Sequence, residues 1–149
     1  MTDHLPFQSP CYCAELRKAA RRVSLIYDAR LRASGLRTSQ FSLLAEIARD
    51  RPAPPTMNEL SNYLVMDRST LGHNLRPLLR KGLVALQQDA TDARTRRVTL
   101  TAKGTAKLKA TKKLWLKAQQ EYEKALGEGE AVSLRNTLHK LCRSRLLKN

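Results

Sequence analysis

The chain has 149 residues, 42% of them hydrophobic, and carries 28 Lys and Arg against 13 Asp and Glu, a formal charge of +15 with a pI near 10.4. The apolar share is that of a protein with a packed core and excludes wholesale disorder. No apolar run reaches the roughly 20 residues of a membrane-spanning helix, and the opening MTDHLPFQSP lacks the apolar stretch of a secretory leader, so a cytoplasmic location is expected.

From the N-terminus, Leu16, Ala19, Ala20, Val23, Ile26, Tyr27 and Leu31 recur at the spacing of one helical face, which predicts a helix over 17–31 that stops at Gly35. Ser39 is the expected cap of a second helix, with Phe41, Leu44, Ala45, Ile47 and Ala48 as its buried stripe. The three prolines of DRPAPP at 50–55 end it. Thr56-Met-Asn-Glu59 has the form of a capping box and opens a short third helix that reaches about Leu64. Asp67 caps a fourth, RSTLGHNLRPLLRKG. Its Leu71, Leu75, Leu78 and Leu79 share one face, and Ser69, Gly72, His73, Arg76 and Arg80 share the other. Pro77 removes one hydrogen bond inside it and is expected to bend it.

Residues 83–88 and 97–101 alternate as two strands of a hairpin whose loop is too long for a tight turn. The stretch DATDARTRRVTL places Arg94, Arg96 and Arg97 within four residues at its tip. Thr101 caps a long fifth helix striped by Leu108, Trp115, Ala118, Tyr122 and Ala125. GEG at 127–129 interrupts it, and a last helix carries Leu134, Leu138, Leu141 and Cys142. The fold class is therefore mainly α with a small β-hairpin (α+β), read as a winged helix-turn-helix flanked by long helices. The expected division is 1–34, 35–101 and 102–149. The flanking helices expose stripes that a second copy of the chain would cover, so 1–34 and 102–149 are expected to form a homodimer.

Charge is concentrated in the middle. Over 67–113, twelve basic residues stand against Asp67, Asp89 and Asp92, leaving +9 of the +15. Such a patch favours a polyanion, nucleic acid first. The leucine face of the fourth helix anchors it, and its small and polar face fits a major groove. Arg68, Ser69 and Thr70 lie at its N-terminus, where amides and hydroxyls suit phosphate. Gly72 allows close approach, while His73, Asn74 and Arg76 reach toward base edges. Arg94, Arg96 and Arg97 on the wing suit the adjacent minor groove, with Asp92 accepting from Arg94 or Arg96 to hold the tip. The rival is a sequence-independent nucleic-acid packaging protein, which accounts for the charge but not for the capped helix pair.

MNELSNYLVMDRSTLGHNLRPLLRKGLV and DARTRRVTLTAKG, with the helices around them, resemble the MarR family of bacterial transcription regulators from about Cys13 to Leu147. The wing pattern D-x-R-x-R followed by V-x-L-T-x-K-G is the most specific part. The resemblance implies a homodimer built from the first, fifth and sixth helices on a pseudo-palindromic DNA operator, most often as a repressor. It implies Arg94 as the minor-groove arginine, Asp92 as its support and residues 68–76 as the recognition surface.

Two triggers are open. Cys11 and Cys13 flank Tyr12 just before the first predicted helix, and Cys142 lies far along the last. Cys13 precedes Tyr27 by fourteen residues, a placement similar to that of the sensing cysteine and one tyrosine in the organic-hydroperoxide branch of the family. Arg17 and Thr38 stand where that branch has its other tyrosines, and Arg17 is one helical turn from Cys13, suited to stabilise a thiolate. Cys142 equally completes an apolar stripe as a small core residue. The other trigger is a small aromatic or anionic ligand in a cleft between the flanking helices and the winged unit, near Tyr12, Arg17 and Tyr27, with Trp115 and Tyr122 as further candidates. No cofactor is expected. His4, His73 and His139 have no ligand spacing relative to the cysteines, so no metal is expected either. No nucleophile has a positioned His and acidic partner, so no enzyme is expected.

Overall fold

The computed structural model describes residues 8–144, so His4, the first seven residues and the last five of the C-terminal unit lie outside the described part. Six helices and one hairpin follow in the order α1 Tyr12–Leu31, a 3-10 turn Arg32–Ser34, α2 Thr38–Ile47, α3 Met57–Leu64, α4 Arg68–Arg80, β1 Val84–Gln88, β2 Arg96–Leu100, α5 Ala102–Leu126 and α6 Glu128–Arg143. Mainly α with a β-hairpin is thus the observed class. No described helix is long and apolar enough to cross a membrane.

The first helix starts at Tyr12, five residues before the predicted 17. Cys13 therefore lies in its first turn rather than ahead of it, and Cys11 occupies the N-cap position. The α2 start also differs from expectation. Ser39 lies inside the helix, whose N-cap is Arg37. Capping comes from elsewhere: Asp28 of α1 accepts the Thr38 amide at 2.6 Å and Gln40 accepts the Arg37 amide at 3.0 Å. A carboxylate from a neighbouring helix thus serves where a local hydroxyl was expected. Gly35, at φ +73, closes the 3-10 turn in a conformation that costs glycine little.

The capping box forms as read, with Glu59 N donating to Thr56 Oγ1 at 3.1 Å and Thr56 N donating to Glu59 Oε2 at 2.8 Å. Val65 then turns the chain at φ 51, and Ser61 Oγ donates to the Met66 carbonyl across that turn. Asp67 caps α4 by accepting the Thr70 amide at 2.8 Å. The helix continues through Pro77 to Arg80. The carbonyl that Pro77 leaves without its helical donor belongs to His73, an exposed residue.

Leu36, Leu43, Leu44, Ile47, Leu60, Leu71, Leu75, Leu78, Leu83, Val84 and Val98 form the buried core of the winged unit. The hairpin is antiparallel, pairing Val84 with Leu100 and Gln88 with Arg96. A third lane lies beside it: the Val98 amide donates to the Pro55 carbonyl at 2.8 Å, and Thr56 bridges to Arg97. The proline-rich loop thus serves as an edge to the wing. A proline that cannot donate still supplies an acceptor there.

The start of α5 is fastened to the end of α4. Thr101 N donates to Leu83 O at 3.1 Å, Thr101 Oγ1 to Gly82 O at 2.6 Å, and Lys103 Nζ to Lys81 O at 2.9 Å. Gly104 completes the junction, since a Cβ there would stand 1.9 Å from the Leu83 carbonyl oxygen. Tyr27 of α1 and Tyr122 of α5 pack at 6.4 Å, and Phe41 of α2 and Trp115 of α5 at 5.9 Å, between ring centroids.

Candidate nucleic-acid interface

Helix α4 divides cleanly. Leu71, Leu75 and Leu78 are buried, so the opposite side must face outward, and there Arg68, Ser69, Thr70, His73 and Arg76 are exposed and Gly72 is half-buried. Nothing lies within 4 Å of where a Gly72 Cβ would be, so this part of the helix is open to a close-approaching surface. Asn74 is placed differently. Its amide reaches Met66 Sδ at 3.8 Å, turning it toward the helix-turn-helix bend. Thr70 is also engaged, its hydroxyl donating to Asp67 Oδ2 at 2.7 Å. The Thr70 amide, then its hydroxyl, hold the Asp67 carboxyl below the usual aspartate range.

The wing tip is built by two aspartates. Asp89 Oδ1 accepts from the Thr91 amide at 2.9 Å, the Thr91 hydroxyl at 2.6 Å and the Asp92 amide at 3.1 Å. Asp92 accepts the Arg94 amide at 2.9 Å and the Thr95 hydroxyl at 2.9 Å. Asp92 therefore does accept from Arg94, but at the main chain; it holds the loop and leaves the guanidinium free. Arg94 and Arg96 are exposed, and neither forms an ion pair with a described residue.

Arg97 is placed apart from the other two. Its guanidinium bonds the Asp89 carboxylate and the Pro54 carbonyl, with Glu59 at 3.8 Å. It braces the wing against the α3 N-terminus. The structure thus brings Arg68, Ser69, His73 and Arg76 onto one face and Arg94 and Arg96 onto the wing, and it turns Arg97 inward. The sequence reading missed Asp89, Glu59 and Pro54 as the partners of Arg97. It also missed Arg51, which bonds Glu46 and lies 4.4 Å over the Tyr63 ring. Strand period 2 was the available signal, because Arg96 and Arg97 as neighbours in a strand must point to opposite faces.

Cys11, Cys13 and Cys142 are free and exposed, so Cys142 is not buried as a core residue within the chain. Tyr12, at 88% exposure, and Arg17 lie on the open side of α1. Tyr27 is buried, donates to Gln119 and walls a cavity of about 200 Å³ with Tyr122, Ala131, Leu134 and Leu138. Burial raises its phenol pKa above the ordinary value. Fifteen helical residues, about 22 Å, separate Tyr12 from Tyr27, so one chain does not gather the proposed cleft residues in one pocket. Among the described residues no His, Cys, Asp and Glu cluster could hold a metal.

Comparison with known proteins places this geometry. A family model described as the MarR family matches residues 34–95, the stretch holding α2, α3, α4 and most of the wing. The transcriptional activatory protein BadR of Rhodopseudomonas palustris is 30% identical over 110 residues, 73% of this chain and 62% of that protein, so the match spans less than two thirds of the relative. The crystal structure of the Mycobacterium tuberculosis transcriptional regulator MosR in complex with DNA is 37% identical, covers 90% of this chain and 99% of that one, and superposes with a TM-score of 0.73. The Staphylococcus aureus MepR–DNA complex, at 22% identity, TM-score 0.75, and 89% and 97% coverage, shares the fold.

Proposed function

The chain belongs to the MarR family of DNA-binding transcription regulators, and on that footing we propose that it works as a homodimeric repressor of a pseudo-palindromic operator. The observation that carries this reading is the pairing of a leucine-anchored helix whose polar face is open with a wing tip that presents two unpaired arginines. Ser69, Gly72, His73 and Arg76 enter the major groove, with Arg68 and Thr70 at the phosphates. Arg94 and Arg96 meet the minor groove, where negative potential is concentrated. Residues 1–34 and 102–149 supply the dimer, and 35–101 the DNA-binding unit.

Release follows oxidation or ligand binding. In the oxidative route a hydroperoxide transfers oxygen to the Cys13 thiolate, forming a sulfenic acid and an alcohol. A second thiol, Cys11 or Cys142 of the partner subunit, then displaces water to close a disulfide. Exposure of all three thiols supports this route. In the other, an aromatic or anionic ligand occupies a cleft to which the second copy contributes.

Selection from a random duplex pool, followed by affinity measurement, tests the reading. The selected duplex should bind at least ~10³-fold more tightly than random duplex, and Arg94→Ala should cost on the order of 1–3 kcal/mol. A ratio near one would instead support the sequence-independent packaging alternative. The direction of regulation is read from a promoter fusion, since BadR is by name an activator: repression predicts higher output when the chain is deleted. Peroxide treatment should weaken binding by wild type and leave Cys13→Ser unchanged, and equal responses in both would eliminate the thiol route.

A further inference from the structure

The solvent face of α5 carries a charge that neither the recognition helix nor the wing accounts for. Its first nineteen residues, 102–120, hold Lys103, Lys107, Lys109, Lys112, Lys113 and Lys117 and no acidic residue. By contrast α1 has Glu15 and Asp28, and α6 has Glu128 and Glu130. Gly104, Thr111 and Ala118 form the buried side of α5, while Lys109, Lys112, Lys113 and Lys117 are exposed. None of the six lysines forms an ion pair with a described residue. Lysines four apart, such as 109 with 113 and 113 with 117, repel one another on a helix surface.

The face is continuous with the DNA-binding unit. Thr101 joins the end of β2 to α5, and Lys103 is bonded to Lys81 at the end of α4. From Lys109 to Lys117 the helix rises about 12 Å, room for several phosphates of a duplex that carries one charge per about 1.7 Å of axis. Resting on the DNA-binding reading above, we infer that the lysine face of α5 is a second phosphate-binding surface, engaging duplex DNA outside the segment that α4 and the wing read. Its contacts are sequence-independent, since an ammonium on a long stem meets phosphate as a point charge and reads no base edge.

The salt dependence of binding tests this, because each phosphate neutralised adds about 0.9 to the slope of log affinity against log salt. The probes are the selected duplex trimmed to its two half-sites, the same duplex with about 12 random base pairs added at each end, and a random duplex of the longer length. The variant K109Q/K112Q/K113Q/K117Q carries no residue used in recognition or in the Thr101–Gly104 junction, and its melting temperature verifies folding. Flanks should steepen the wild-type slope by about 2–4. The variant should lose that increment while binding the trimmed duplex within about twofold of wild type. A slope indifferent to the flanks, or an increment that the variant keeps, overturns the inference. If random duplex shows the lysine-dependent slope but no sequence is selected, the lysine face stands and the operator reading falls.

Discussion

At single positions, the structure separates residues that hold the winged unit in shape from residues it leaves exposed. Val65 turns the chain into α4 at φ 51 while its side chain is 72% exposed. A β-branched residue is strained there and gains no packing in return. Val65→Asn should therefore stabilise the protein by up to about 1 kcal/mol, raising Tm by about 2–4 °C by calorimetry; a lower Tm would show that the valine is favourable where it stands. Asp89 carries the opposite lesson, as a charge whose pairing sets the wing. Hydrogen bonds from the Thr91 hydroxyl, the Thr91 amide and Arg97 hold its carboxyl far below the ordinary aspartate range. A folded-state value depressed in this way gives stability that is fully present above the ordinary value of about 3.9 and is lost progressively as pH falls from there through the lower folded value. In a carboxyl NMR titration Asp89 should stay ionised at pH 3.5, where exposed aspartates are largely protonated. Asp89→Asn should release Arg97 and loosen the tip.

The helices and the hairpin are joined at close contacts, and two glycines in helices have opposite reasons to be there. Gly104 is pressed against the Leu83 carbonyl, so an added methyl must push α5 away from the start of the wing. Gly104→Ala should lower stability by about 1–3 kcal/mol in spite of the better helix propensity of alanine. Gly72 has free space around it, so Gly72→Ala should raise stability by about 0.5–1 kcal/mol and weaken operator binding by crowding the groove. Denaturant melts and binding titrations of both variants separate the two roles, and a Gly104→Ala melt at or above wild type would refute the close-packing account. The sequence made the caps at Thr56, Asp67 and Thr101 legible because each is local, a side chain bonding an amide three residues on. It hid the α2 cap because Asp28 reaches it from ten residues away. It grouped Arg97 with its neighbours for the same reason, as the partners that turn it inward include Pro54 and Glu59, far off in the chain. Leu43, absent from the read stripe, is buried in one cluster with Leu60, Leu71 and Val98, so α2 meets the core with more than one helical face.

For the whole molecule, the chain alone leaves an apolar surface uncovered. Leu25 and Ile26 of α1, Leu126 of α5, and Leu134, Leu138 and Leu141 of α6 are between 37% and 67% exposed. All lie outside the winged unit, and a second copy of the same helices is the simplest cover for them. A two-fold dimer then fixes the spacing of its two recognition helices, and with it the spacing of the half-sites, at about one turn of duplex, 10–10.5 base pairs. Inserting about 5 base pairs between the selected half-sites rotates one of them by half a turn and should reduce affinity toward the random-duplex level. Inserting about 10 restores the facing but stretches the distance, so recovery should be partial, limited by how far the two winged units can separate. Leu134→Glu with Leu138→Glu should sediment as a monomer and bind one half-site weakly, with no response to either insertion. If wild type is itself indifferent to the insertions, each chain reads DNA alone, and the apolar surface of α1, α5 and α6 must serve some other partner.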